Sequence, residues 1–231
     1  MRALLEQGLA ELGLDASRAE TLERFADLML QKNEVMNLTR ITEPTAVAQL
    51  HLLDSAMLLK YADFRGKTVA DVGTGAGFPG MPLRILEPDF DLTLLDSLGK
   101  RVDWLQETCD ALGLSRVACV HARAEEFAAE KREAFDLVTS RAVANLQILA
   151  ELCLPLVKVG GQFLAMKSVD SEDEIIAAKT AIKTLGGRIA RGEDYTVPTS
   201  DVSHRLVIIE KLAPTPARYP RPFAKIKKAP L

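Results

Sequence analysis

The spacing of hydrophobic residues changes once along this chain, near residue 66. Before that point they recur at helical intervals. Leu22, Phe25, Ala26, Met29 and Leu30 share one helical face, and Leu50, Leu53 and Met57 share another over residues 48–60. Residues 1–62 therefore read as a helical region. Ser17-Arg18-Ala19-Glu20 has the form of a capping box, and Asn33, Asn37 and Thr39 mark a loop.

From residue 66 onward, short apolar runs alternate with helical stripes. The runs predict strands at 68–72, 92–96, 116–120, 135–140 and 161–167. Helices are expected at about 80–87, 99–112, 123–131, 145–158 and 172–186. Ser171 with Glu174 opens the last of these and Gly186-Gly187 closes it. Such alternation gives a mostly parallel sheet with helices on both faces, an open α/β fold. The chain end departs from the rule. Strands near 188–197 and 204–211 have no helix between them, so they pair antiparallel at one edge of the sheet. The expected organisation is a helical extension (1–62), one α/β domain (63–212) and a tail (213–231). The tail holds five of the eleven prolines and is expected to lie over the surface.

Composition adds little until charge is mapped. The chain has 231 residues, 48% hydrophobic and 26% charged, which is ordinary for a soluble domain. No apolar run reaches the roughly 18 residues of a membrane span, and Met1-Arg2-Ala3-Leu4-Leu5-Glu6 has no long apolar region. Cys109, Cys119 and Cys153 are odd in number and lack metal-ligand spacing, so they read as small apolar residues in a reducing cytosol. A cytoplasmic protein with no metal site and no membrane partner is expected. Net charge is −3, but Lys211, Arg218, Arg221, Lys225, Lys227 and Lys228 stand in 211–231 without one acid, leaving −9 on the remainder. An acidic body with a basic tail suggests contact with a polyanion.

The chemistry concentrates in residues 68–80. An apolar strand ends in Asp71 and opens into Gly73, Gly75, Gly77 and Gly80 before a helix. Strand, glycine loop and helix describe the nucleotide pocket of an open α/β sheet. Two ligands compete, S-adenosylmethionine and NAD. A carboxylate at Asp71 would repel a diphosphate and suit a ligand with ammonium and sulfonium groups. Pro79 and Pro82 crowd the helix start that a diphosphate would need. No second mononucleotide-binding half follows. All three favour S-adenosylmethionine, with Asp71, Gly73 and Gly75 at the loop, Asp96 for the ribose hydroxyls, and Ala124-Glu125 for the adenine edge.

These residues resemble one family over nearly the whole chain: the bacterial small-subunit ribosomal RNA guanine-N7 methyltransferases, or glucose-inhibited division protein B family. The resemblance rests on Asn37-Leu38-Thr39, His51-Leu52-Leu53-Asp54-Ser55, Asp71 through Gly80 and Asp96-Ser97 with Lys100-Arg101. It continues through Ala122-Arg123-Ala124-Glu125, Ser140-Arg141-Ala142 and Tyr219-Pro220-Arg221. It implies a class I, Rossmann-like methyltransferase sheet and methylation of one guanine of 16S ribosomal RNA by S-adenosylmethionine. The cofactor positions it implies are Gly73, Phe78, Ala124, Glu125 and Arg141. Two departures stand out: Lys32 where an aromatic is usual, and Pro222-Phe223 where the family has a basic, flexible step.

Guanine N7 carries a lone pair and no proton, so no general base is required. On the substrate side, Arg141 follows the fourth strand, Lys167 ends the fifth, and His204-Arg205 opens the last, all at the crevice end of the sheet. Arg141 is expected to bridge cofactor and substrate. Lys167, His204, Arg205, Tyr219 and Arg221 are expected to face RNA, with tail cations tracking phosphates and aromatics stacking on unpaired bases. The expected partner is 16S ribosomal RNA within the small subunit, and the expected state is a monomer. Three rival functions remain at this stage. One is a small-molecule methyltransferase with residues 1–62 as a lid, one an NAD-dependent oxidoreductase, and one a non-catalytic RNA-binding module.

Overall fold

The computed structural model describes all 231 residues. Helices α1 (Arg2–Glu11) and α2 (Ala19–Met36) pack through Leu5, Leu9, Leu22, Phe25 and Met29, all fully buried. The turn before α2 is capped by Asp15, whose carboxylate accepts from the Ser17 N–H at 3.0 Å. The expected capping box at Ser17 does not form, because Ser17 already lies inside that turn. α2 ends at Asn37, in the left-handed region at φ 51.

Next, α3 (Pro44–Val47) widens into a π-helical stretch, Ala48–Leu53, and continues as α4 (Asp54–Ala56) and α5 (Leu58–Tyr61). The expected helix over 48–60 therefore starts earlier and is underwound in the middle. Single π turns of this kind recur at functional sites, and this one carries His51 and delivers Asp54.

The alternation that follows matches the reading of the sequence. β1 (Lys67–Val72), α6 (Gly80–Leu86), β2 (Phe90–Asp96), α7 (Gly99–Leu112), β3 (Val117–His121), α8 (Ala124–Glu130) and β4 (Phe135–Arg141) run in order. α9 (Leu146–Cys153) is shorter than expected. A 3-10 turn at Leu154–Leu156 carrying Pro155 stops it, and β5 (Val157–Ser168) begins there rather than at 161. α10 (Glu172–Thr184), β6 (Gly187–Thr196), β7 (Ser203–Lys211) and α11 (Phe223–Lys228) complete the chain. Ser171 precedes α10 without capping it.

The sheet order is β3-β2-β1-β4-β5-β7-β6. β1, β2, β3, β4 and β5 pair in parallel, and β7 runs antiparallel to both β5 and β6. Alternate residues of each strand feed two cores, as a period of two requires. One core holds Val69, Leu94, Leu164 and Ile208 together with α1, α2 and the π-helical stretch. The other holds Ala70, Leu95, Ala165 and Val207 together with α9, α10 and the tail residues Tyr219 and Ile226. The N-terminal helices are thus a layer on the sheet rather than a detached unit, and the tail is folded against the opposite face.

Candidate active site

The loop between β1 and α6 is held from within. Asp71 is fully buried at the end of β1. Its Oδ2 accepts from the Gly80 N–H at 2.9 Å and the Thr74 hydroxyl at 2.7 Å, and its Oδ1 accepts from the Thr139 hydroxyl at 3.0 Å. Burial pushes this carboxyl up to about 6 while those bonds pull against the rise. The expectation that Asp71 touches the cofactor is corrected here. The side chain turns inward, and it can do so because position 80 is glycine: a Cβ there would lie 2.9 Å from Oδ2. A carboxylate already sits at the first N–H of α6, so a diphosphate finds that site taken. The residue denying it is Asp71 itself rather than Pro79 and Pro82.

Asp96 faces the neighbouring cleft. Its Oδ2 accepts from the Gly75 N–H at 2.9 Å and its Oδ1 from the Leu98 N–H at 2.9 Å. Two backbone donors fix the carboxylate and leave each oxygen a second lone pair. The cleft has a volume of about 120 Å³ and is bordered by Gly73, Asp96, Ala124, Glu125, Val143 and Phe223. Gly73 sits at φ 71, and a Cβ there would lie 2.5 Å from a Val143 methyl. Both facts require glycine.

A second cleft of about 470 Å³ borders the same segment, through Arg141 and Ala142. Its centre is Asp54, which is 1% exposed. Asp54 Oδ1 accepts from the Tyr195 hydroxyl at 2.8 Å and from His204 Nδ1 at 2.9 Å, and Oδ2 accepts from Arg141 Nη1 at 3.2 Å. Arg141 also donates to the Leu50 carbonyl at 2.8 Å and to His51 Nδ1 at 2.9 Å. A guanidinium only donates, so His51 Nδ1 accepts, and Nε2 carries the proton toward the Thr39 hydroxyl at 2.9 Å. Burial, and then Arg141 alongside, lower His51 to about 4, which keeps it neutral. The hydrogen bond to Asp54 raises His204 instead. Burial and Asp54 raise Tyr195, which stays protonated.

Phe78 lies beneath this cluster. Its ring stacks on His51 at 4.5 Å and carries the Arg141 guanidinium 5.0 Å above it. Only 4% of Phe78 is exposed, so the ring supports the cleft floor.

The other expected site residues divide. His204 borders the larger cleft. Lys167 does too, but its Nζ donates to Glu174 at 2.5 Å and to the Ala144 carbonyl at 2.8 Å. Glu174 also accepts from the Leu146 N–H, so it ties α10 to α9 instead of capping with Ser171. Arg205 lies on the opposite face of the sheet from His204, as adjacent strand residues must. It pairs with Asp194 at 2.5 Å and Glu172 at 2.8 Å, and the expectation that it shares the crevice with His204 is corrected. The tail pairing is also corrected. Arg221 donates to Glu151 at 2.8 and 2.6 Å, and Tyr219 is only 7% exposed. Lys211, counted among the tail cations, is fully buried against Glu133 at 3.3 Å, the Thr215 hydroxyl and the Leu154 carbonyl.

His51, Asp54 and Tyr195 were given no role from the sequence, and Phe223 was read only as a tail aromatic for RNA. A signal existed for two of them: His51 and Asp54, three apart, are the ionisable positions of a mostly apolar stretch, residues 48–56. Tyr195 gave none, because an aromatic in a strand reads as core.

A seven-stranded, mostly parallel sheet with an antiparallel edge and a glycine loop after its first strand is the architecture of a Rossmann-like methyltransferase. The family described as GidB, rRNA small subunit methyltransferase G, matches residues 18–197. A protein named ribosomal RNA small subunit methyltransferase G from Alkaliphilus metalliredigens is 44% identical over 236 residues, covering 100% of this chain and 98% of its own. One of the same name from Lachnoclostridium phytofermentans is 45% identical, covering 97% and 95%. Among solved structures, M. jannaschii TYW2 in complex with AdoMet superposes with a TM-score of 0.54 at 14% identity, covering 70% of this chain and 76% of that one. That likeness speaks to the fold alone. The chain belongs to the GidB family of small-subunit rRNA methyltransferases. No helix is long and apolar enough to cross a membrane.

Proposed function

We infer that this protein is an S-adenosylmethionine-dependent methyltransferase acting on N7 of one guanine in 16S ribosomal RNA, as a cytoplasmic monomer working on the small ribosomal subunit. The observation that carries the cofactor assignment is the filled helix terminus. Asp71 occupies the α6 N–H while Asp96 and Glu125 wall the adjoining cleft with carboxylates. Those carboxylate acceptors fit the hydroxyls of a neutral ribose and a cationic sulfur, and they oppose a diphosphate. Asp96 would hold the ribose hydroxyls, Ala124 and Glu125 the adenine edge, and Gly73 and Gly75 the path between them. Phe78 and Arg141 would flank the methionine side.

When bound, S-adenosylmethionine supplies an electrophilic methyl on a sulfonium. The guanine N7 lone pair forms the new N–C bond as the C–S bond breaks, and positive charge passes to the purine. No proton moves, so the residues act by position and field, with reacting atoms about 3–3.5 Å apart. Charge arriving on guanine is opposed by bare cations nearby, and the cleft supplies few. Asp54 balances Arg141, and Glu174 balances Lys167. His204 keeps Nδ1–H on Asp54, which favours the protonated ring, and in that form Nε2–H would donate to guanine O6 or a phosphate. Arg141 lines the larger cleft two residues from Val143 at the smaller one, and there it would join cofactor to substrate. The exposed tail cations Arg218, Lys225, Lys227 and Lys228 are available for RNA phosphates.

The test is to incubate the protein with methyl-labelled S-adenosylmethionine and small subunits from cells lacking it, then map the label. A single 7-methylguanine in 16S RNA is expected. Label on small acceptors alone, or on another base atom, contradicts the assignment.

A further inference from the structure

Phe223 of the tail lies at the smaller cleft. Phe223 is only half-buried, although Ile226 one turn later is fully buried. The tail is anchored without it. Arg221 holds Glu151, Tyr219 packs in the core, and Arg132 donates to the carbonyls of Thr215, Pro216 and Tyr219. The phenyl ring instead stacks on the Arg123 guanidinium at 4.5 Å. Arg123 Nε in turn donates to Glu125 at 2.7 Å, and the Glu125 side chain is 10% exposed. Ring, guanidinium and carboxylate thus form a continuous wall of the cleft that Asp96 borders.

The cleft volume of about 120 Å³ falls short of the roughly 300 Å³ at which small-molecule pockets begin. A nucleoside seated there needs an additional apolar surface for the face of its base. Val143 and Phe223 are the large apolar side chains at the rim. Of the two, Phe223 is planar, is braced by a charged neighbour, and packs on the core only in part. Its ring offers a purine the aromatic face that the carboxylates do not.

We propose that Phe223 is a cofactor-binding residue: the C-terminal tail supplies the wall against which the purine of S-adenosylmethionine packs, with Arg123 holding the ring in place. This rests on the reading that the cleft takes an adenosyl group. It also reverses the expectation that the tail serves RNA alone.

Calorimetric titration of S-adenosylhomocysteine and of adenosine into the full chain tests it, with thermal unfolding of each unliganded variant alongside. Phe223→Ala is expected to weaken both ligands by about tenfold, the size of one base–aromatic stack. Phe223→Leu should lose affinity by about threefold to fivefold, while Phe223→Tyr stays within about twofold of the parent. Unliganded melting temperatures are expected to stay within about 2 °C, because the anchors lie elsewhere. A folded Phe223→Ala protein that binds within about twofold of the parent overturns the proposal. If Phe223→Ala unfolds, equal affinities of the Leu and Tyr variants overturn it, and a loss confined to Leu supports it. A parent protein that binds neither ligand removes the adenosyl reading as well, so the two failures are distinguishable.

Discussion

The helices ahead of β1 and the tail after β7 cover opposite faces of one sheet, and each carries charge to it in a different way. The N-terminal layer sends Asp54 and His51 to the edge of its core, where they meet Arg141, Tyr195 and His204 at an open cleft. The other face holds two cations in closed pairs, Arg221 of the tail with Glu151 and Lys211 at the end of β7 with Glu133. In one region the ionic network borders a site; in the other it fastens a segment. Both networks contain a carboxylate that is almost wholly buried, so burial alone does not separate function from structure. Access of the partners to a cleft does.

The largest effect expected from this contrast lies in the tail. Glu151 has no exposure, and Arg221→Ala would leave its carboxylate only the backbone N–H of residue 221 at 2.9 Å. Losing the guanidinium from this pair, one end of which is partly exposed, is expected to cost about 2–3 kcal/mol, measurable as a lower denaturation midpoint. An unchanged midpoint would make the tail a solvated arm after all. On the other face, Asp54→Asn uncouples Arg141 and His204 from their shared acceptor. Methyl transfer should fall on the order of a hundredfold, with affinity for S-adenosylhomocysteine changed by less than about threefold. Rate measurements paired with titration read that split, and a matched loss in both would place Asp54 with the cofactor or with general stability.

A smaller effect sharpens the account of the N-terminal layer through pH. Burial and Arg141 hold His51 at about 4 against its ordinary 6.5. A depressed histidine favours the folded state while neutral, so its contribution is complete above 6.5 and is lost as pH falls toward 4. The unfolded chain binds the extra proton in that window. The lost stability amounts to about 3 kcal/mol. Denaturation at a series of pH values should show His51→Gln losing less stability than the parent between pH 6.5 and 4. Parallel curves would mean that folding leaves the proton affinity of His51 at its ordinary value.

The sequence was most legible where local pattern decides the outcome. The switch from helical stripes to alternating runs placed the strands, and the lack of a helix between β6 and β7 placed the antiparallel edge. Pattern failed where a tertiary partner decides. Asp71 at a strand end beside glycines looks like a ligand contact, and only the fold shows Thr74, Gly80 and Thr139 converging on it. His204 and Arg205 are neighbours in sequence and so opposite in space. Cations clustered in 211–231 suggested a polyanion surface, but Glu133 and Glu151, distant in sequence, claim two of them. Asp54 was visible as part of a motif and lacked a role until Tyr195 arrived from 141 positions away.

The most direct test is a structure of the protein with S-adenosylhomocysteine. The account predicts ribose hydroxyls on Asp96, the purine between Glu125 and Phe223, and the sulfur at Gly73 facing the cleft of Arg141 and Asp54. A ligand seated outside that path, or a nicotinamide dinucleotide found with its diphosphate at the start of α6 and Asp71 displaced, would contradict it.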